Sequence, residues 1–183
     1  MRIVSGKYKR RQILFPEEKK NQPFETRPTK DRVREAIFSA LENDCTGEKV
    51  LDLFAGSGAL GIEALSHDAS FADFVDIRLE AVQCIKENLR SLDIQNAKVW
   101  KGHYDDVLMK MKESKKTFSL VFLDPPYHMD VYHEIIQKME DLSLLEKEHT
   151  FVLESDHRID LENENEIRRY QYGFIHVTII KRK

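Results

Sequence analysis

Cysteine is scarce in this 183-residue chain: Cys45 and Cys84 lie in unrelated segments without C-x-x-C spacing. That excludes a disulfide framework and a zinc knuckle. Long apolar runs are missing too, none approaching the roughly 18 residues of a membrane-spanning helix. The opening MRIVSGKYKRRQ has no apolar stretch behind its charges, so no secretory leader is expected and the expected compartment is the cytoplasm. The seven histidines nowhere form H-E-x-x-H, and His128 and His133 read as surface residues, so no metal site is expected. Internal repeats and low-complexity tracts are also absent. What remains, 41% hydrophobic and 33% charged, fits a single-core globular protein.

Charge is unevenly spread. Residues 1–34 hold eleven lysines and arginines against four carboxylates, which leaves +7 on this arm and −10 on the rest of a chain whose net charge is −3. A basic arm on an acidic body suits a polyanion partner, because lysine and arginine release counterions from phosphates whatever the base sequence.

Beyond the arm, TKDRVREAIFSAL predicts a helix capped by Thr29, with Val33, Ile37, Phe38 and Leu41 as its apolar stripe. Strand and helix then alternate: KVLDLF, ALGIEALSH, FADFVDI, RLEAVQCIKENLRSL, NAKVWKG, YDDVLMKMKE, FSLVFLD, VYHEIIQKMEDL and HTFVLES. Such alternation predicts an α/β fold with a parallel, doubly wound sheet. The tail breaks the pattern, since residues 165–182 are two strand-like runs about Gly173, a hairpin closing the sheet.

LDLFAGSGALG runs from a buried strand into G-x-G-x-x-G at Gly56, Gly58 and Gly61. Glycines permit close ligand approach, and the helix that follows points free N–H groups at the site. Asp76 ends the second strand 20 residues after Gly56, where a carboxylate accepts from ribose hydroxyls. Loop and acid alone serve a nicotinamide dinucleotide or S-adenosylmethionine equally well. Asp52, four residues before Gly56, tilts the balance: it repels a pyrophosphate and suits an ammonium or sulfonium.

LVFLDPPYH carries the chemistry. Asp124, Pro125, Pro126 and Tyr127 stand at the carboxyl end of a buried strand, where open α/β sheets bind ligands. Two prolines fix the backbone and remove two N–H donors. A carboxylate, a carbonyl and an aromatic ring there fit a planar base with an exocyclic amine: the ring stacks, and Asp124 and the Pro125 carbonyl accept from the amine. Two acceptors favour a pyramidal nitrogen, aim its lone pair and stabilise the positive charge that builds on it. The motif does not choose among amines. A guanine, a DNA adenine or cytosine and a protein glutamine all present one, although the basic arm disfavours glutamine.

With these motifs, the chain resembles the S-adenosylmethionine-dependent methyltransferases that modify amino groups. More narrowly, MRIVSGKYKRRQI, TRPTKDRVREAIFSAL, LDLFAGSGALGIEALS and DPPY resemble the bacterial 16S ribosomal RNA guanine-N2 methyltransferases over nearly the whole chain. The resemblance implies a Rossmann-like class I methyltransferase domain over residues 26–183, whose seven-stranded, mostly parallel sheet ends in an antiparallel hairpin. It implies a small β-hairpin extension over residues 1–25 that grips RNA through Lys9, Arg10 and Arg11. Asp52, Phe54, Ala55, Gly56, Ser57 and Gly58 would border the methionine moiety, Asp76 the ribose, and Ile77, His103 and Tyr104 the adenine. Asp124, Pro125, Pro126 and Tyr127 would be catalytic, with Arg27, Lys30 and Arg34 near the mouth to meet phosphates. The implied partner is 16S ribosomal RNA in a partly assembled small subunit, met by a monomer without metal or membrane. Rivals are a nicotinamide-dependent oxidoreductase and an RNA-binding assembly factor without catalysis.

Overall fold

Val50 and Leu51 point to opposite sides of one strand, and each joins a different apolar cluster. The same alternation recurs in the next strand of the central sheet: Leu120 and Phe122 join the first cluster, Val121 and Leu123 the second. Side chains on a strand alternate with period two, so a strand apolar at every position must be covered on both faces. These strands could not stand at a solvent-facing surface.

The computed structural model describes residues 1–16, 31–126, 129–160 and 166–183. Its elements run α1 (Asp31–Ala40), β1 (Lys49–Asp52), α2 (Ala59–Ser66), β2 (Phe71–Asp76), α3 (Leu79–Ser91), β3 (Ala97–Lys101), α4 (Tyr104–Glu113), β4 (Phe118–Leu123), α5 (Tyr132–Asp141), β5 (Leu145–Ser155), β6 (Glu166–Tyr172) and β7 (Ile175–Arg182). The seven strands form one sheet in the order β3-β2-β1-β4-β5-β7-β6. The first five are parallel, and β7 is antiparallel to both β5 and β6, as the tail pattern predicts. Helices α1, α2 and α3 cover one face through Phe38, Ile62 and Ile85, while α4 and α5 cover the other through Leu108 and Ile135. No described helix is long and apolar enough to cross a membrane.

Two boundaries differ from the sequence pattern. β1 ends at Asp52, not at Phe54. Leu53 and Ala55 still donate to Phe122 and Val75, but the chain is already turning into the glycine loop. β5 starts at Leu145, four residues before HTFVLES, and its pairing with β4 shifts register between Phe118 and Leu120. An irregular pairing erases the period-two signal in that stretch. Thr29 lies outside the described residues, as does the boundary drawn at residue 25.

The N-terminal residues form a short hairpin, bridged at Arg2 and Gln12. Ile3 and Ile13 are buried in the same cluster as Phe38 and Ile62, so the arm is packed into the core of the domain. Gly6 makes the docking possible: at φ +73, a Cβ on it would stand 2.0 Å from the Ser66 carbonyl oxygen.

Candidate active site

Strand order reverses between β1 and β4, and the crevice at such a reversal is where open α/β sheets bind ligands. Asp52, Asp76 and Asp124 come from the carboxyl ends of β1, β2 and β4, three neighbouring strands. Their closeness is electrostatically visible. Burial pushes the Asp52 carboxyl up to about 7, and the charges of Asp124 and Asp76 push the same way, against a hydrogen bond from the Gly61 amide. A buried acid facing two others is a place for a cation.

The glycine turn is built around these acids. Gly56 and Gly58 have φ +55 and +79, and Gly58 caps α2. Asp52 Oδ2 accepts from the Gly61 amide at 3.0 Å, thus satisfying one of the open amides in the first turn of the helix. The side chain read as a cation partner is therefore also a helix cap. Around Gly56 the space is open, with Arg78 the nearest neighbour of an added Cβ at 3.9 Å. At Gly58 the same atom would meet Ile85 and Phe74 at 3.3 Å.

Asp76 holds more than the sequence suggests. Its oxygens accept from the Gly56 amide (3.0 Å), the Arg78 amide (2.9 Å) and Arg78 Nε and Nη2 (both 3.2 Å). An ionised carboxylate offers about four acceptor positions, so the Arg78 guanidinium occupies those that a ribose diol would use. The dipeptide after a strand end gives no warning of this pairing.

A half-aromatic wall stands beside the turn. The Phe54 ring lies 5.6 Å from that of Tyr104, and the His103 ring 4.3 Å from it. His103 caps α4, its Nδ1 accepting from the Asp105 amide at 3.4 Å. Tyr104 is buried and donates to Glu134, and burial together with Asp105 and Glu134 pushes its phenol up to about 12. It stays a neutral ring. Ile77, which directly follows β2, is 60% exposed.

On the other side, Pro125 is buried and Asp124 and Pro126 are half-buried, with the Pro126 carbonyl accepting from the Met129 amide at 2.8 Å. Tyr132 backs this loop: its hydroxyl donates to the Glu154 carbonyl at 2.7 Å, and burial and the Asp124 charge push its phenol upward. Tyr127 and His128 lie outside the described residues. His133 is exposed and contacts the Asp160 carbonyl.

Of the basic residues, Lys9, Arg10 and Arg11 are exposed on the arm, and Arg11 donates to the Ser91 carbonyl at 2.8 Å. Arg27 and Lys30 lie outside the described residues. Arg34 requires a correction, because it is fully buried and does not reach the mouth of the site. Its Nη2 donates to the Arg2 carbonyl (2.5 Å) and to Asp31 (3.0 Å), and its Nε lies 3.8 Å from Glu63. The physical reason is Glu63, a buried carboxylate on α2 that needs a cation and N–H donors. Glu63 receives the amides of Val4 and Ser5, so Arg34 and Glu63 together hold the arm down. His67 assists, stacked on Phe38 and bonded to the Ser5 hydroxyl at 2.7 Å. A charged residue in the otherwise apolar ALGIEALS was the available signal for this anchor.

Asn88 is the other residue the sequence pattern overlooks. It is fully buried on α3 and donates to the Ser57 carbonyl at 2.9 Å. Its signal is a polar residue at the position where the stripe of Ala81, Ile85 and Leu89 calls for an apolar one.

The family described as conserved hypothetical protein 95 matches residues 1–181. A Bacillus subtilis (strain 168) protein named putative rRNA methyltransferase YlbH is 34% identical over 188 residues, spanning 100% of both chains. The Escherichia coli (strain K12) ribosomal RNA small subunit methyltransferase D is 33% identical over 156 residues, 85% of this chain and 75% of that protein. A solved structure of the putative methyltransferase yhhF from Escherichia coli superposes with a TM-score of 0.85, at 30% identity, over 100% of this chain and 98% of its own.

Proposed function

This chain belongs to the family described as conserved hypothetical protein 95, and from that premise we propose that it transfers the methyl group of S-adenosylmethionine to the N2 amine of a guanine in 16S ribosomal RNA. The observation that carries the reading is the meeting of the glycine turn with three carboxylates at the reversal of strand order.

The residues fit the cofactor. Asp52, driven up to about 7 by burial and by two neighbouring acids, gains a counter-ion when an ammonium or sulfonium enters. The open backbone at Gly56 admits the ligand chain. Asp76 receives the ribose once Arg78 gives way, and Phe54, Ile77, His103 and Tyr104 enclose a planar base. When bound, S-adenosylmethionine supplies a methyl group on a sulfonium sulfur that leaves as a neutral thioether.

The protein prepares the amine. The lone pair of a guanine amine is delocalised into its ring and attacks poorly. Asp124 and the Pro125 carbonyl accept its two N–H groups, favour a pyramidal nitrogen and stabilise the charge that develops as the N–C bond forms. One proton then leaves the nitrogen, with Asp124 as the nearest acceptor and water as its destination. Tyr127, outside the described residues, is the proposed stacking platform. Lys9 and Arg10, exposed on the arm, meet backbone phosphates, and the proposed substrate is a partly assembled small subunit.

A transfer assay with tritiated S-adenosylmethionine tests this reading on naked ribosomal RNA, small subunits from a strain lacking the protein, duplex DNA and a glutamine-bearing protein. N2-methylguanosine in small-subunit RNA is the expected product. Label in DNA or protein would keep the chemistry and discard the substrate, and a chain that binds the cofactor but labels nothing would be an assembly factor.

A further inference from the structure

Asn88 makes two connections with one side chain. Its Nδ2 donates to the Ser57 carbonyl at 2.9 Å and to the Leu14 carbonyl at 3.1 Å, while its Oδ1 accepts from the Leu14 amide at 2.7 Å. A side-chain amide has two N–H donors and one carbonyl. Here both donors and the carbonyl are used, and the orientation is fixed because Leu14 N–H needs an acceptor.

The two partners belong to different parts of the molecule. Ser57 sits between Gly56 and Gly58, the two residues of the turn with positive φ. Holding its carbonyl fixes the plane of the peptide joining Ser57 to Gly58, and with it the direction of the Gly58 amide. Leu14 belongs to the arm and is 57% exposed, so packing does little to hold it. Its backbone is paired to Asn88 much as a neighbouring strand would pair it. A second polar anchor of the arm, Glu63 on Val4 and Ser5, lies at the far end of the hairpin, beyond the buried Ile3 and Ile13.

We propose that Asn88 is a positioning residue that ties the docked arm to the shape of the cofactor turn, so that RNA on the arm and S-adenosylmethionine in the turn strengthen each other's binding. The proposal rests on the reading of the turn as the cofactor site and of the arm as an RNA contact. Glycines at positive φ have many alternative conformations, so a turn containing two of them needs an external hold. A free arm leaves Asn88 with two unmet bonds and an incentive to turn, which loosens the Ser57 carbonyl. Thermodynamic linkage makes the effect reciprocal.

The test uses the full chain, calorimetry with S-adenosylmethionine in the presence and absence of 16S ribosomal RNA, and amide hydrogen exchange without either ligand. In the wild type, RNA should tighten cofactor binding by about fivefold or more, and the cofactor should tighten RNA binding by the same factor. Asn88→Leu removes the bonds to Leu14 and Ser57 and the longer contact with Cys84 Sγ at 3.6 Å, whereas Asn88→Asp keeps the acceptor for Leu14 and loses the donations. Both should weaken cofactor binding by about tenfold or more and bring the coupling factor to about one. Exchange at Leu14 and Gly58 should rise together while Ser5, held by Glu63, keeps its protection.

A purely structural clasp would not move the coupling factor. Leu14→Pro serves if the Asn88 variants fail to fold: it removes the N–H that Asn88 accepts, at an exposed position remote from the chemistry. Several-fold weaker cofactor binding supports the tie. Variants that bind the cofactor as the wild type does, with the coupling intact, overturn it. A wild-type chain that binds no S-adenosylmethionine overturns the reading of the site itself, and the coupling with it.

Discussion

The Asp52 carboxylate, 2% exposed at the end of β1, accepts a hydrogen bond from the Gly61 amide at 3.0 Å across the mouth of the glycine turn. One acid thereby caps α2 and faces Asp76 and Asp124, where the proposed cofactor would bring its cation. These two tasks ask for different charge states, since a protonated carboxyl can still accept the Gly61 amide while a counter-ion must be ionised.

That conflict predicts a pH dependence. The Asp52 carboxyl lies at about 7 in the folded chain against an ordinary 3.8. Between those values the folded state keeps a proton that the unfolded state has lost, so this acid's contribution to stability is full below about pH 4 and declines as pH rises toward 7. The distance from 3.8 to about 7 bounds the loss at about 4 kcal/mol. Asp52→Asn retains an acceptor for Gly61 and should flatten the decline, giving a more stable chain at pH 8 in denaturant titrations. The same variant should bind S-adenosylmethionine about tenfold or more weakly at that pH. Equal slopes of stability against pH in the two chains would remove Asp52 from this role.

Arg78→Ala should tighten cofactor binding. The guanidinium fills two acceptor positions of Asp76, which the proposed ribose contact would require it to vacate. Arg78 is partly exposed, so the competing pair is worth only about 1 kcal/mol and the expected gain is about three- to tenfold by calorimetry. Weaker binding would mean that Arg78 helps hold the ligand.

The two glycines of the turn should respond differently. At Gly58 a side chain combines φ +79 with contacts to Ile85 and Phe74 at 3.3 Å, so Gly58→Val should lower the melting temperature and abolish binding together. Gly56→Ala meets no atom closer than 3.9 Å and carries the strain of φ +55, about 1 kcal/mol. It should keep the fold and lose most cofactor affinity. Intact binding in Gly56→Ala would take the open backbone there out of the site.

Arg34 and the arm arginines should separate cleanly. Arg34→Met leaves Glu63 buried without its nearby cation and should destabilise the chain by about 3 kcal/mol or more. Lys9→Ala with Arg10→Ala should leave the melting temperature unchanged and lower the salt slope of RNA binding by up to about two. An unchanged slope returns the arm to a solvated surface.

Asp124→Ala tests the chemistry itself. Loss of an acceptor used only as charge builds on the amine should cut kcat by about a hundredfold or more, with the cofactor dissociation constant within about twofold. A rate near wild type sinks the assignment.

Much of this was readable along the chain. The continuous apolar runs of β1 and β4 called for cover on both faces, and helices supply it. Gly173, between two strand-like runs, does turn a hairpin, at φ +66. Glu63 interrupts the apolar run of ALGIEALS and Asn88 the apolar stripe of α3, but neither pattern shows its purpose, because periodicity reports which side is buried and not what a buried polar atom meets. Arg34 misled for the same reason: its charge counted as surface charge, and only the placement of Glu63, 29 residues later, buries it.

By itself the sequence determined what depends on near neighbours: the order of strands and helices, the left-handed glycines of the turn, and the acids that end β1, β2 and β4. Period-two and 3.6-residue patterns and single-residue φ preferences are local properties. The tertiary structure alone decided which charges are solvated, that Arg78 occupies Asp76, that burial, with two neighbouring acids, pushes the Asp52 carboxyl up to about 7, and that Asn88 joins Leu14 to Ser57. Those facts depend on desolvation and on hydrogen bonds between residues as many as 74 positions apart, and neither exists until the chain has closed on itself.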